Sequence, residues 1–521
     1  MQMLLLAGGL ALAASLQTPA PLTRAEATDY RETSTVEDAH AFVRELQRAG
    51  APLRFEVVGK SVQGRDIALV VCSTSDAATP SAARRLGRVV VYIQANIHGG
   101  EVEGKEASLM LLRDLAANPR LLDRLVLLVC PVYNTDGNDD LGDGRRNRPS
   151  QNGPERVGQR TNGQGLDLNR DAVKAESPEM KAVLDAVYNR WDPDVMVDLH
   201  TTNGTRHGYQ LTYSPPLNPN TDPGILSLSR DVMLPQIRTK AKRERAYELF
   251  DYGNLQGGGW YAYGQEGRYV TNYVGLRNRI AVLSEATSYL PFRERVMVTK
   301  WFVDAVVQYA YDNAEAIRSA VIEADRRAAA LQGHQLGVRF DFASRGVEGV
   351  LLEKQGTGQG LSIGEVRSQQ LDVFDRFRVT TTATMPAAWI LPADATSAAD
   401  VLARHGIIVE RTTEEWSGPG EWFEVSSLQR AHTAFQGHRL VALEGRYIPG
   451  AVRVPEGSFL VRSSQPLARL AFHMLEAQSL DGVIAWELVP IQDAAKSSPI
   501  LRLSEAPKLP TVRHMYLPSP G

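Results

Sequence analysis

The stretch Val89-Val-Val-Tyr-Ile-Gln-Ala-Asn-Ile-His98-Gly-Gly-Glu101 decides how the first part of this chain folds. It opens with an apolar, β-branched run, which predicts a buried strand, and a helix-like segment follows from Gly104. A histidine and a carboxylate three residues apart at the end of such a strand can turn toward one point. Zinc accepts imidazole nitrogen and carboxylate oxygen together, so the stretch predicts two ligands of a metal site.

Strand-like and helix-like segments alternate around this stretch. Further strands are predicted near 54–59, 66–73, 125–132, 194–199 and 279–284, and helices over 104–117, 178–190 and 292–330. Thr35 is a plausible cap for an additional first helix, which Gly50 closes. The alternation predicts an α/β fold with a mixed, largely parallel sheet and helices on both faces.

Short β-type segments separated by Pro, Gly and Ser dominate after about residue 335. They are Leu336–Phe342, Gly349–Leu352, Phe377–Thr382, Ala388–Leu391, Gly406–Glu410, Leu440–Leu443, Ser458–Val461 and Gly482–Leu488, with helices near 399–404 and 466–475. We therefore expect an α/β domain over residues 21–334 and a smaller, mostly-β accessory domain over residues 335–521.

The N-terminal run Met3–Ala14 is apolar, is too short to span a bilayer and ends in small residues. It predicts a signal peptide over residues 1–20 and a periplasmic or secreted protein. No other run reaches the roughly 18 apolar residues of a membrane helix, so no further membrane contact is expected.

Composition excludes little but restricts the partners. The net charge of -3 over 521 residues gives no electrostatic argument for nucleic acid or an anionic membrane. The two cysteines, Cys72 and Cys130, lie in apolar strand-like runs and are expected to be buried free thiols. The oligomeric state stays open.

A third metal ligand follows a second buried strand. His200 ends the run Asp194–Leu199, and ligands in open α/β sheets bind beyond the carboxyl ends of strands, so His98 and His200 can converge. Glu285 ends the apolar run Ile280–Ser284, where poor solvation should raise its pKa toward the working range of a general base.

A loop rich in Gly, Asn, Asp and Arg spans residues 134–166, and unstructured loops of this length are uncommon unless they are functional. The arginines of Gly144-Arg-Arg-Asn-Arg148 have two readings, a solvated basic loop or groups that bind carboxylate and stabilise an oxyanion.

Together these motifs resemble the M14 family of zinc carboxypeptidases over about residues 35–325. The resemblance rests, in chain order, on His98-Gly-Gly-Glu101, Asn134-Thr-Asp-Gly137, Leu166-Asp-Leu-Asn169-Arg170, His200 within Asp198-Leu-His-Thr-Thr-Asn203, and Glu285 after its strand. It implies an enzyme that removes the C-terminal residue of a peptide with a metal-activated water.

The resemblance also implies roles for individual residues. His98, Glu101 and His200 would bind one Zn²⁺ per chain, and Asp167 would accept the free ring N–H of His98. Glu285 would be the general base, and Arg145, with Arg146 as the neighbouring alternative, would stabilise the oxyanion. Asn169 and Arg170 would hold the terminal carboxylate of the substrate. Tyr263 is the favoured choice, among Tyr261, Tyr263, Tyr269 and Tyr273, for a mobile tyrosine that closes over the substrate.

Two other functions remain open at this point. A deacylase or amidase acting on acylated amino acids or cell-wall peptides would keep the metal and dispense with the carboxylate clamp. A non-catalytic binding protein would keep only the fold. His207 is either a structural histidine or a substrate contact.

Overall fold

The computed structural model describes residues 20–516, so residues 1–19 of the expected signal peptide lie outside it. Its centre is an eight-stranded sheet whose four middle strands are parallel. In spatial order the strands are Leu53–Lys60, Asp66–Cys72, Leu125–Cys130, Val89–Ala95, Val195–Thr201, Ile280–Ala286, Leu211–Ser214 and Leu249–Asp251. This is the mixed, largely parallel sheet that the sequence predicts.

Helices cover both faces of this sheet, and two separate hydrophobic clusters lie on its two sides. The longer helices are Val36–Arg48, Glu103–Ala117, Leu234–Arg245, Val270–Leu276, Phe292–Asp312 and Ala314–Ala329, and Pro178–Val183 runs on into a π-helical turn over Leu184–Asn189. Thr35 caps the first of these through a reciprocal bond with Asp38, as expected. The single helix expected over 292–330 is two helices that meet at Asn313.

The strands after residue 335 pair with one another in antiparallel orientation. The largest has seven strands, in the order Val441–Val454, Trp416–Arg430, Ser497–Leu503, Ala388–Leu391, Phe459–Arg462, Glu410–Thr412 and Thr511–Arg513. Gln335–Ala343 pairs with Arg376–Thr384. This part also contains the helices Thr396–Arg404 and Ala468–Leu475 and is mostly β, as expected.

Two expected strands are absent from the described residues. Gly482–Leu488 forms successive turns, in which the amide of Trp486 donates to the carbonyl of Gly482. Its apolar residues are buried in the core, but the backbone is not extended. A short apolar run does not by itself distinguish a strand from another buried segment. Around Gly406, whose φ is +84°, the chain ends a helix, because the amides of Gly406 and Ile407 donate back to the carbonyls of Ala403 and Leu402. Only Glu410–Thr412 is a strand there.

The part after residue 335 packs directly against the α/β part of the chain. One hydrophobic cluster contains Tyr273 and Leu276 together with Trp389 and Phe472. The strand Gly259–Tyr261 also pairs in parallel with Val366–Phe374. The two units therefore share a core, and the domain boundary at residues 334 and 335 stays a prediction. Both cysteines are buried free thiols.

Among the described residues, no helix combines the length and apolar character needed to cross a bilayer.

Candidate metal centre and catalytic site

His98, Glu101 and His200 converge as the sequence predicts. One possible ligand atom from each of the three residues lies within 4.8 Å of the other two, and all three side chains are buried. The convergence follows from the sheet, because Val89–Ala95 and Val195–Thr201 are parallel neighbours that end at the same edge. His200 lies within the second strand, and His98 follows the first strand by three residues.

The two imidazole rings present the same nitrogen inward. Nδ1 of His98 lies 2.9 Å from Oε1 of Glu101, and Nδ1 of His200 lies 3.0 Å from Oε2 of the same carboxylate. Burial by itself would raise the pKa of Glu101, but His98, Arg148 and His200 hold this pKa well below its usual range. An ionised carboxylate and two inward nitrogens form a donor set that suits Zn²⁺.

The outer nitrogens of both rings are held by carboxylates. Nε2 of His98 lies 3.0 Å from Oδ1 of Asp167, which is the partner that the family resemblance implies. Nε2 of His200 lies 2.8 Å from Oδ2 of Asp198, a residue to which the sequence analysis gave no role. Such partners fix the tautomer and orientation of metal-binding histidines. The residues present therefore fit a zinc ion.

The structure does not bring Arg145 or Arg146 to this site. Both are exposed on the short helix Gly144–Asn147, and Arg145 borders a different cavity together with Pro154 and Leu361. Asp143 caps this helix, because its side chain accepts from the amide of Arg145, and the side chains of Arg145 and Arg146 are both exposed. The expectation for Arg145 therefore finds no support in its position.

Two other arginines reach the metal ligands. Arg148 is buried, and it donates to Oε1 of Glu101 at 3.1 Å and to the carbonyl of Thr201 at 3.0 Å. Arg160 donates to Oδ2 of Asp167 at 2.9 Å, and its Nη1 lies 3.4 Å from Oε1 of Glu101. The Arg160 side chain keeps 37% of its surface exposed and borders the cavity that the metal ligands line, whereas the side chain of Arg148 is 8% exposed.

Glu285 stands beside the metal ligands. Its strand pairs in parallel with Val195–Thr201, and Glu285 is the direct register partner of His200. Burial raises the pKa of Glu285 to about 8, with Glu101 adding to the shift and His200 opposing it. Oε2 of Glu285 is buried and has no hydrogen-bond partner among the described residues. A carboxylate in this position can accept and release a proton.

Asn169 and Arg170 line the same cavity, whose volume is about 170 Å³. Oδ1 of Asn169 accepts from the amide of Val270 at 3.0 Å. Arg170 donates to the Asn169 carbonyl at 2.7 Å, and its guanidinium carbon lies 4.5 Å from the centre of the Tyr269 ring. Nη2 of Arg170 lies 4.0 Å from Oδ2 of Asp167, which is beyond hydrogen-bonding distance, so Arg170 retains N–H groups for an anion in the cavity.

Three tyrosines border the cavity, namely Tyr252, Tyr263 and Tyr269. The favoured Tyr263 is among them, and its buried hydroxyl lacks a hydrogen-bond partner within the described part of the chain. Tyr273 is bonded to His405 away from the site. Which tyrosine covers a substrate stays a prediction.

His207 does not border this cavity. Its ring packs against Tyr209, Trp260 and Tyr289, and burial lowers its pKa to about 4. This position favours the structural reading of His207.

The fold and the site together define a metallohydrolase of the α/β class. Residues 39–294 match the family model described as Peptidase_M14, zinc carboxypeptidase. Over these residues the chain is therefore similar to the M14 zinc carboxypeptidases, and this match together with the curated relatives supports carboxypeptidase activity.

Similar proteins carry related names. Carboxypeptidase 2 of Trichophyton rubrum is 23% identical over 498 residues, which cover 90% of this chain and 86% of that protein. Probable carboxypeptidase 2 of Arthroderma benhamiae is 23% identical over 478 residues, covering 85% of this chain and 84% of that protein. Among solved structures, carboxypeptidase A from Helicoverpa armigera aligns with a TM-score of 0.42 at 17% identity, covering 55% of this chain and 75% of that one.

Proposed function

We propose that one Zn²⁺, held by His98, Glu101 and His200, and Glu285 as general base hydrolyse the C-terminal peptide bond of a substrate anchored by Asn169 and Arg170. The observation that carries this proposal is that all six residues line one cavity. A bound zinc ion would polarise the scissile carbonyl and lower the pKa of a water molecule.

Glu285 moves the proton. Its unpartnered Oε2 can accept a proton from the attacking water as the new C–O bond forms, and it then delivers that proton to the nitrogen of the leaving amine as the C–N bond breaks. The products are a shortened peptide and a free amino acid, so no co-reactant other than water is needed.

We assign the oxyanion role to Arg160 instead of Arg145. Arg160 is the arginine that contacts both Asp167 and Glu101 and still borders the cavity. A guanidinium donor at this place can stabilise the negative charge that develops on the carbonyl oxygen. Tyr263 is proposed to contact the bound substrate.

Arg170 and Asn169 decide which end of the peptide is cut. A bidentate guanidinium–carboxylate contact would place the last peptide bond of the substrate, and no internal bond, beside Glu285. A deacylase or amidase that does not read the carboxylate would not depend on Arg170.

The test compares peptides that end in a free carboxylate with the same peptides amidated at the C-terminus. We expect amidation to abolish cleavage and Arg170→Ala to lower kcat/KM by about 10- to 100-fold, the usual worth of a hydrogen bond to a charged group. Arg146→Ala, on the exposed helix outside the cavity, is the matched control. If both changes leave cleavage intact, the enzyme is an amidase of another specificity.

Export is part of the proposal and rests on the apolar segment Met3–Ala14. We propose a periplasmic or secreted enzyme whose signal peptide is removed near residue 20. Mass spectrometry of the N-terminal peptide of protein recovered from outside the cytoplasm tests this, and an intact Met1 there would contradict it.

A further inference from the structure

A tight turn from the C-terminal β unit reaches the loop that carries Asp167. The turn Phe435-Gln-Gly-His438 is closed by a pair of hydrogen bonds between Phe435 and His438, and Gln436 and Gly437 have φ angles of +51° and +86°. Two consecutive positive φ angles are the signature of a type I′ turn. The side chain of Gln436 accepts a hydrogen bond from the backbone amide of Asp167 at 2.9 Å.

This contact is connected to the metal ligand His98 through a single residue, Asp167. The Asp167 carboxylate holds Nε2 of His98 at 3.0 Å, holds Arg160, and accepts from the amide of Asn169 at 3.0 Å. Fixing the Asp167 backbone therefore fixes a metal ligand, the proposed oxyanion arginine and half of the carboxylate clamp together.

Two further contacts hold the turn, and with it Gln436, in place. Nε2 of His438 lies 2.6 Å from Oε1 of Glu176, which belongs to the same part of the chain as Asp167. The ring of Phe435 stacks against Trp486 with a centroid separation of 6.2 Å. Gln436 is thus placed from both sides.

A second set of contacts from the C-terminal β unit holds the segment 267–269, which adjoins Arg170 of the proposed carboxylate clamp. Asp481 accepts from the backbone amide of Arg268 at 2.6 Å, and its other oxygen lies 2.9 Å from Nε of Arg268. His473 accepts from the amide of Gly267 at 3.3 Å. Tyr269 directly follows Arg268, and its ring packs on the guanidinium of Arg170.

We infer that the C-terminal β unit is a positioning element of the active site: Gln436 sets the Asp167 loop, and Asp481 sets the segment that carries Tyr269. The family model ends at residue 294, so both residues lie outside the part of the chain that it matches. The substrate readout of this inference rests on the whole proposed function, whereas the zinc readout rests only on its metal site.

The test uses Gln436→Met in the full chain, because methionine keeps the length of the side chain and removes the acceptor. We expect zinc affinity, measured by competition with a chelator, to fall about 3- to 10-fold, which is less than the 10- to 100-fold typical of a direct partner of a ligand. Thr433→Ala, an exposed site just before the same turn, is the control. Gln436→Glu keeps an acceptor at the same distance, so its zinc affinity should lie within about twofold of that of the wild type.

Asp481→Asn should give a different signature. Asparagine can keep Oδ1 as the acceptor from Nε1 of Trp486, the ring on which Phe435 of the turn stacks, so the Gln436 contact should persist and zinc affinity should stay within about twofold of wild type. The acceptor from the amide of Arg268 is lost, so KM for a peptide with a free carboxylate should rise about 3- to 10-fold while kcat changes less. A purely structural role would lower thermal stability without separating KM from zinc affinity.

The inference is overturned if folded Gln436→Met binds zinc and peptide like wild type, or if Asp481→Asn alters kcat and KM no more than Thr433→Ala does. Zinc affinity is measured without turnover. A wild-type protein that binds zinc and cleaves no peptide would therefore refute the proposed function and still leave the zinc comparison for Gln436 decisive.

Discussion

Oδ2 of Asp198 lies 2.8 Å from Nε2 of His200, two residues further along the same strand. Successive side chains of a strand alternate between its faces, so residues i and i+2 share one face, and this pair follows directly from the extended backbone. Asp198 also accepts from Nε2 of Gln94 at 3.1 Å on the neighbouring strand, which fixes the carboxylate itself. Asp198 therefore holds the His200 ring with Nδ1 directed toward Glu101 and the proposed metal position.

The first prediction follows from this pair. Asp198→Asn should lower zinc affinity by about 10- to 100-fold, because the amide cannot hold the imidazole as a negatively charged acceptor does. The measurement is competition with a chelator of known affinity. Asp143→Asn, on an exposed carboxylate away from the ligands, serves as the control. An unchanged affinity in Asp198→Asn would remove this residue from the metal site.

The second prediction separates metal binding from proton transfer. Glu285→Gln preserves shape and removes the base, so zinc should remain bound at full stoichiometry while kcat falls by about 10²- to 10⁴-fold, the usual contribution of a general base. Metal content is measured on the same preparation as activity. A variant that retains near-full activity would show that Glu285 is not the base.

The third prediction distinguishes the arginines. Arg160→Gln should lower kcat by about 10²- to 10³-fold, as expected when one donor to a developing oxyanion is lost. Arg145→Gln should match wild type, because Arg145 is exposed and borders another cavity. Arg148→Gln is the informative third variant: if it lowers kcat and Arg160→Gln does not, the oxyanion role belongs to Arg148.

The sequence predicted that His98, His200 and Glu285 would lie close together, because strand ends and register determine their positions. The apolar runs before His98, His200 and Glu285 are buried strands whose carboxyl ends meet in one sheet, and the parallel register places Glu285 beside His200. Asp198 was also within reach of sequence reasoning, since a strand places residues i and i+2 on the same face.

Loop residues could not be placed in the same way. The course of the chain between residues 134 and 170 depends on local turns such as the one that begins at Asp143. The family resemblance therefore pointed to Arg145, while the structure brings Arg148 and Arg160 inward. The contact from Gln436 to Asp167 joins residues 269 positions apart, and no local pattern encodes it.

The fourth prediction concerns the terminal side chain of the substrate. Leu283 lies two residues before Glu285 on the same face of its strand, and with Thr271 it lines the cavity of about 170 Å³. The acidic residues that line this cavity in the described structure are Glu101 and Glu285, which belong to the catalytic site. We therefore expect uncharged terminal residues to be preferred over Lys and Arg by at least about tenfold in kcat/KM.

A series of peptides that differ only in the last residue measures this preference. Leu283→Ala removes volume from the wall, so it should improve kcat/KM for bulky terminal side chains relative to small ones. Equal rates for terminal Lys and Leu in the wild type would contradict the assignment of this wall to the terminal side chain.

The last prediction concerns acid stability at the contact between the two units. His405 is buried: its Nε2 donates to the carbonyl of Val173 at 2.8 Å, and its Nδ1 accepts from the hydroxyl of Tyr273 at 2.9 Å. Burial lowers the pKa of His405 to about 3, and Arg277 lowers it further, while the Val173 carbonyl and Asp171 oppose the shift. Because the unfolded chain binds this proton near pH 6.5 and the folded chain does not, the free energy of unfolding should fall as the pH drops from about 6.5 toward 3.

His405→Gln can keep both hydrogen bonds without titrating, so urea unfolding of the metal-free protein should show a shallower loss of stability over this range. His432→Gln, at an exposed position, should behave like wild type, and identical slopes in all three proteins would show that His405 does not titrate on unfolding.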